Sequence, residues 1–211
     1  MSPADADGVA EPRTRPRRAD AQRNLDALLE AAKSVFAASG VDAPVREIAT
    51  QAGVGIATVY RHFPQRSDLI AAVFRREVDA CAASASTLAR EHEPDEALAR
   101  WLRRYTAFIG TKRGLAAALH SGDPAFAALP VYFRLHLEPV LQSLLDAAVA
   151  AGRIRGDVEP YALLRAVGNL STATGEDGAL HSRQMVDLLI DGLRYGAPAA
   201  GLGPKGQRRS R

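Results

Sequence analysis

The amino-acid sequence predicts an all-α protein. Apolar residues recur at the spacing of one helical face through most of the chain, and no segment alternates between apolar and polar residues for long enough to indicate a strand. Proline and glycine fall between the periodic stretches, where helices usually begin and end. An apolar content of 47% and a charged content of 24% are typical of a folded globular protein. We expect about nine helices.

The first 19 residues contain three prolines and no apolar periodicity, which predicts a disordered arm that becomes basic toward its end. Four arginines supply that charge: Arg13, Arg15, Arg17 and Arg18. The first helix follows, and Gly40 is expected to end it, because glycine tolerates the left-handed conformation usual just past a helix C-terminus. Its apolar face consists of Leu25, Leu28, Leu29, Ala32 and Phe36.

Two short helices come next. Pro44 suits the first turn of one helix, and the glycines of the segment 53–55 break the chain before Ile56 starts the other. Pro64 is expected to stop that helix, and Ser67 or Asp68 to cap a fourth. The inner face of the fourth helix is expected to contain Leu69, Ile70 and Val73, with Phe74 and Val78 beyond them.

The rest of the chain predicts longer helices. One amphipathic pattern covers residues 98–109, a shorter one covers 115–119, and a third covers 137–148, where Pro139 suggests a kink or a late start. Two last helices are expected at about 161–173 and 180–195, the first of them opened by Pro160.

Charge is distributed unevenly along the chain. The formal net charge is only +3. Residues 13–66 carry nine Lys/Arg against five Asp/Glu, whereas residues 67–195 carry 14 against 16. A basic N-terminal segment followed by a nearly neutral remainder indicates that the N-terminal segment binds a polyanion. The alternative is that the basic residues only keep the chain soluble.

Other features exclude several classes of protein. A single cysteine, Cys81, precludes an intramolecular disulfide, and its expected role is that of a small buried apolar residue. No uncharged stretch is long enough to span a membrane, and the N-terminus does not resemble a secretory signal. No phosphate-binding glycine loop, nucleophile elbow or histidine pair at metal-ligand spacing occurs. We therefore expect a soluble cytoplasmic protein that is not an enzyme and needs no cofactor or metal.

The segment from Val45 to Phe63, VREIATQAGVGIATVYRHF, has the proportions of a helix-turn-helix. Its inward stripe is predicted to be Ile48, Val54, Val59 and Phe63, and Gly53 is expected to adopt a positive φ. The second helix would then enter the major groove of DNA. The alternative is a helical hairpin within an ordinary core.

The other faces of this segment supply candidates for DNA contact. Arg46 is the best candidate for bidentate recognition of guanine, and small apolar side chains suit thymine methyl groups. Hydroxyl and imidazole groups beside arginine suit phosphate oxygens. The exposed candidates are Arg46, Ile56, Ala57, Thr58, Tyr60, Arg61 and His62.

Residues 20 to about 75 resemble the DNA-binding domain of the TetR/AcrR family of transcriptional regulators. The resemblance rests on AAKSVFAASG, VREIATQAGV and ATVYRHFPQRSDLIAAV. It implies phosphate and base-edge contacts by Thr58, Tyr60 and His62, and a phosphate contact by Arg66, where the family commonly has lysine. Pro44 and Gly55 depart from the family pattern, which usually has polar capping residues there. The arginine arm would suit a minor groove, and a solvated tail is the alternative.

For residues 76–195 the resemblance implies a helical domain that dimerises and binds a small effector, with the last two helices pairing in a four-helix bundle. A two-fold dimer matches a palindromic operator. Residues 196–211 are expected to form a disordered basic tail. An apolar or aromatic effector would suit the candidate pocket residues, which are Trp101, Tyr105, Phe108, His120, Phe126, Phe133 and His136.

The sequence thus predicts a repressor that binds a palindromic operator as a homodimer and is released by a small molecule. One alternative is a helical small-molecule-binding protein or enzyme that retains the helix-turn-helix head. Another is a basic protein that binds DNA without sequence preference.

Overall fold

The computed structural model describes residues 14–111, 122–171 and 177–195. Within these ranges the chain forms eight α-helices and one short 3₁₀ helix, and no strand. The α-helices are α1 (Thr14–Ser39), α2 (Val45–Ala52), α3 (Ile56–His62), α4 (Arg66–Glu91), α5 (Pro94–Thr111), α6 (Leu129–Ala150), α7 (Pro160–Leu170) and α8 (Gly178–Tyr195). The 3₁₀ helix, Pro124–Phe126, precedes α6. The predicted all-α class is confirmed, and the predicted helix at 115–119 lies outside the described residues.

The N-terminal unit consists of α1, α2, α3 and the first half of α4. Helix α1 packs against α2 and α4, and α2 packs against α3. Gly40 ends α1 with a φ of 77°, and Gly53 caps α2 with a φ of 67°, as the sequence predicted for both turns. A side chain would be strained at either position, because L-residues other than glycine rarely adopt a positive φ.

Helix α1 begins at Thr14 and not at residue 20, so the expected disordered arm is wrong for residues 14–19. This stretch lacks apolar periodicity, but arginine and alanine both favour helices, and Pro16 lies in the first turn, where its missing N–H breaks no intrahelical bond. The backbone of Arg15, Arg17 and Arg18 is therefore helical, whereas Arg13 lies outside the described residues.

Two expected helix starts are also shifted. Pro44 precedes α2 as its N-cap, with a ψ of 133°, and does not lie inside its first turn. Gln65 occupies the N-cap of α4, and its backbone N–H donates to the Asp68 carboxylate at 3.0 Å. Ser67 is therefore not the cap but a buried residue of the first turn, and Asp68 closes the turn from the third helical position.

Helix α4 connects the two parts of the molecule. Its first half packs on α1, and its length brings it against α5 and α6 in the C-terminal part. The predicted boundary between residues 75 and 76 falls inside this continuous helix. The predicted inner face of α4 is buried, as are the apolar faces of α5 and α6 that it meets.

In the C-terminal part, α5 packs against α4, α6, α7 and α8. Helix α6 begins at Leu129 with Pro130 in its first turn, and it continues through Pro139, so the late start suggested by that proline does not occur. Helix α7 ends at Leu170, three residues earlier than expected, with Ser171 as its C-cap. No helix within the described residues is long and apolar enough to cross a membrane.

Candidate nucleic-acid interface

Helices α2 and α3 are joined by a turn of three residues. The Val54 N–H donates to the Ala49 carbonyl at 3.0 Å, which folds the chain back over the end of α2. Gly55 is extended, with a ψ of 144°, and its carbonyl accepts the Thr58 N–H at 2.8 Å to start α3. The two helices therefore leave the turn in different directions, as in a helix-turn-helix.

Buried side chains fix the inner faces of this pair. Ile48 on α2 and Val59 on α3 are almost completely buried, and Val54 and Phe63 are partly buried against the same core. These four residues are the inward stripe that the sequence predicted. The remaining positions of α3 consequently face outward.

Tyr60 and Ile56 are the large side chains on the outer face of α3, with 51% and 43% of their surfaces exposed. Ala57, Arg61 and His62 are also exposed, and Thr58 is half-buried. A face with an aromatic hydroxyl, two apolar side chains and a basic end offers groups both for phosphates and for base edges.

Arg46 lies on α2, outside α3, and its side chain is exposed. Its backbone carbonyl accepts the Thr50 hydroxyl at 2.9 Å within the same helix. The guanidinium is therefore presented from the first turn of the first of the two helices, at the end away from their shared turn.

Arg66 is placed differently from the other predicted contacts. Its Nη1 donates to the carbonyl oxygens of Val41 and Ala43, the second at 2.8 Å, and the side chain is half-buried. These bonds tie the start of α4 to the loop that precedes α2. The sequence did not predict this bracing role, because the partners are backbone atoms more than 20 residues away.

Two family models match this chain. Residues 28–73 match the bacterial regulatory proteins of the tetR family, and residues 93–195 match the C-terminal domain of SbtR-like transcriptional regulators. The chain is 37% identical to the TetR transcriptional regulator SCO0520 from Streptomyces coelicolor, with a TM-score of 0.70, over 83% of this chain and 99% of that one. The chain belongs to the TetR family. It is a transcriptional regulator with a helix-turn-helix.

Other relatives of this TetR-family regulator match less completely. A curated HTH-type transcriptional regulator from Staphylococcus aureus is 38% identical over 63 residues, which are 29% of this chain and 34% of that protein. The match thus spans about a third of the length of the curated relatives. The TetR-like regulator LfrR from Mycobacterium smegmatis, solved in complex with proflavine, is 26% identical over 83% of this chain and 96% of that one, with a TM-score of 0.60.

The aromatic residues predicted to line an effector pocket form a packed cluster in the C-terminal part. Trp101 stacks on Tyr105 with ring centroids 5.7 Å apart, and Phe108 and Phe133 each lie about 6 Å from Tyr105. Phe126 is buried as well. These rings fill space between the helices, and none of them lines the three cavities that are bounded by residues within 14–111, 122–171 and 177–195.

His136, one of the two predicted pocket histidines, is not part of that cluster. His136 is half-exposed on α6, where its ring stacks on Tyr132 and its Nδ1 lies 2.8 Å from the Tyr132 carbonyl. The Tyr132 hydroxyl donates to Asp79 on α4 at 2.7 Å. Desolvation of the phenol, and after it this hydrogen bond, raises the pKa of Tyr132 to about 12. His120 lies outside the described residues.

Cys81 is buried on α4, as predicted. Burial raises the pKa of its thiol to about 12, although Arg104 acts in the opposite direction. Its carbonyl accepts the Trp101 indole N–H at 3.0 Å. Burial likewise raises the pKa of Tyr105, whose hydroxyl donates to the Leu164 carbonyl. No group of metal-ligating side chains occurs among the residues that the structure describes.

The sequence did not reveal a cavity of about 480 Å³ between α1, α5 and α8. Its lining residues on α5, Arg103, Thr106, Ala107 and Gly110, are on the face opposite the aromatic cluster. The rest of the lining consists of small and polar side chains, which apolar periodicity in a sequence does not identify. These residues are Ala37, Ser171, Ala179, Ser182, Arg183 and Asp187.

Proposed function

We propose that this regulator binds a palindromic operator as a homodimer and represses transcription until a small molecule releases it. DNA binding is the function that the geometry supports best, and we propose that it takes place in the cytoplasm and without catalysis. The observation that carries the proposal is the division of α3 into a buried side at Val59 and an exposed side at Ile56 and Tyr60. Such a helix is held rigidly while its outer face is available to a major groove.

Each predicted contact residue has a proposed role. Arg46 recognises guanine, and Ile56 and Ala57 contact thymine methyl groups. The polar groups of the same surface contact phosphates or base edges, with Arg66 contributing from the start of α4. These residues are Thr58, Tyr60, Arg61, His62 and Arg66.

The proposed dimer interface is formed by α7 and α8. Large apolar side chains are exposed on both helices, among them Tyr161 on α7 and Leu180, Leu188 and Tyr195 on α8. Burying such a surface against a second copy removes it from water. The two DNA-binding domains of a two-fold dimer would then match the two half-sites of a palindromic operator.

The proposed effector binds in the C-terminal helical part. This proposal is supported by the TetR family membership and by the ligand present in the LfrR structure. The predicted aromatic set packs tightly, so an effector between those rings requires them to move apart. An effector that binds the DNA-free conformation of the protein more tightly than the DNA-bound conformation weakens DNA binding. The size of the effect is set by the ratio of the effector's affinities for the two conformations.

A gel-shift titration with duplex DNA from the region upstream of the protein's own gene tests the proposal. We expect tight, salt-sensitive binding that a random duplex of equal length competes for poorly. Tyr60→Ala should weaken binding to all sequences, whereas Arg46→Ala should mainly reduce the discrimination between sequences. Equal affinity for promoter and random DNA would contradict sequence-specific regulation.

A further inference from the structure

The cavity between α1, α5 and α8 has a floor of buried hydroxyl groups. Three of the four buried polar residues that the described part of the chain contains line it, namely Thr106, Ser171 and Ser182. The Thr106 hydroxyl donates to the Leu102 carbonyl at 2.9 Å, and the Ser171 hydroxyl donates to the Val167 carbonyl at 2.6 Å. Two of the three hydroxyls are therefore engaged by the turn of helix that precedes them.

Ser182 differs from the other two. Only 3% of the residue is exposed, and its Oγ is the one buried side-chain polar atom of the described residues that has no hydrogen-bond partner. A buried hydroxyl that has lost water without gaining a partner is unfavourable, and such groups are uncommon in folded proteins. A ligand in the cavity that donates or accepts a hydrogen bond would provide the missing partner.

The part of the cavity that opens to solvent is lined by small residues on α1, α5 and α8. Ala37, Ala107 and Ala179 are exposed and contribute only methyl groups, and Gly110 contributes no side chain. A Cβ added to Gly110 would meet no atom within 4 Å. The volume of about 480 Å³ lies within the range of roughly 300–1,000 Å³ that small-molecule sites usually have.

Two of the three charged lining residues, Arg103 and Asp187, form an ion pair, and all three are at least partly exposed. The Arg103 Nε donates to Asp187 at 2.8 Å, and both side chains are about half-exposed. The Arg183 Nε is 3.3 Å from the Ala179 carbonyl of its own helix, and its side chain is exposed. Apart from these charged groups, the lining consists of exposed methyl groups and buried hydroxyls, which match an uncharged molecule.

We propose that this cavity binds a neutral, largely apolar small molecule through one hydrogen bond to Ser182, and that this is the effector site. The inference rests on the proposed function. Ala37 lies two residues before the end of α1, which leads through a short loop to α2. A ligand between α1 and the pair α5 and α8 therefore acts on the helix-turn-helix through the position of α1.

Fluorescence titration with prodan, a neutral naphthalene ketone whose emission reports on polarity, tests the site. The comparison ligands are dimethylaminonaphthalene, which lacks the carbonyl group, and the anionic anilinonaphthalene sulfonate. The wild-type protein should bind prodan saturably, and more tightly than the sulfonate. Tighter binding of the sulfonate, or no saturable binding of either neutral probe, would overturn the proposal.

Variants locate the binding. Ser182→Ala should weaken prodan binding by about 3- to 10-fold, the usual effect of one lost hydrogen bond, and leave the carbonyl-free probe unaffected. Ala107→Leu fills the cavity and should abolish binding, with Gly110→Ala as a milder filling variant. Ala89→Leu makes the same exchange at an exposed position of α4 away from the cavity and should bind like the wild type. Unchanged binding by both filling variants would place the probe elsewhere.

Promoter DNA separates this inference from the proposed function. Prodan should weaken promoter binding by the wild type and by Ala89→Leu but not by Ala107→Leu. If the unliganded protein does not select promoter DNA, the proposed function fails regardless of the probe. If it selects promoter DNA, and prodan occupies the cavity without changing that affinity, the effector role of the cavity is wrong.

Discussion

Arg66 donates its Nη1 to the Ala43 carbonyl at 2.8 Å, which joins the first residue of α4 to the loop before α2. The same nitrogen also donates to the Val41 carbonyl. Because α4 continues into the C-terminal part, this contact links the long helix directly to the helix-turn-helix. A movement of α4 or α1 therefore changes the support of α2 without passing through α3.

The first prediction separates this bracing role from the proposed phosphate contact of Arg66. Arg66→Ala should reduce DNA affinity under either role. If the residue only braces the loop, the dependence of log affinity on log salt concentration should keep its slope, whereas loss of a phosphate contact should lower the slope by about one. Gel-shift titrations at several salt concentrations measure the slope. Unaltered DNA affinity would exclude both roles.

The second prediction concerns the hydrogen bond between Trp101 and the Cys81 carbonyl, which joins α5 to α4. Trp101→Phe removes this bond and leaves unfilled volume in a fully buried position, so we expect the free energy of unfolding to fall by about 1–3 kcal/mol. Urea denaturation measures the change. Tyr60→Phe, at an exposed position, is the control and should stay within about 0.5 kcal/mol of the wild type. Equal stability of Trp101→Phe and the control would show that the bond contributes nothing.

The third prediction follows from the buried thiol of Cys81, whose pKa is raised from 9.0 to about 12. Between these values the folded state keeps the proton that the unfolded state loses, so stability should fall as pH rises through this window. The contribution is fully present below pH 9. Urea denaturation between pH 8 and pH 12 should show a shallower decline for Cys81→Ala than for the wild type. Parallel pH profiles would mean that Cys81 does not contribute to the decline.

Helix positions were predictable where apolar residues repeat, as at Leu28, Val59 and Leu69, because burial of one face produces the periodicity. The start of α1 could not be predicted in this way, because residues 14–19 are helical without an apolar face. Its body is attached to α4 by ion pairs such as Lys33 to Glu77 at 3.0 Å, which sequence spacing does not reveal.

The exposed face of the helix-turn-helix could be predicted because a short helix with one buried side has only one side left exposed. The cavity could not be predicted from the sequence. It depends on the absence of side-chain volume at Ala37, Ala107 and Gly110, on helices that are distant in sequence. The sequence prediction relied on large aromatic residues instead, of which Trp101, Tyr105 and Phe108 lie buried on the opposite face of α5.

The last prediction tests the proposed dimer through Leu188, which is 65% exposed on α8. Leu188→Glu should leave helix content unchanged, because the side chain is already outside the core, but should dissociate the dimer by placing a charge in an apolar interface. Leu135→Glu is a matched control on α6, where leucine is 67% exposed. Sedimentation should find a monomer for Leu188→Glu and a dimer for Leu135→Glu. The reverse result would move the interface from α8 to α6. Because a monomer engages one half-site at a time, Leu188→Glu should also lose most of its affinity for a palindromic promoter while keeping its weak binding to a half-site.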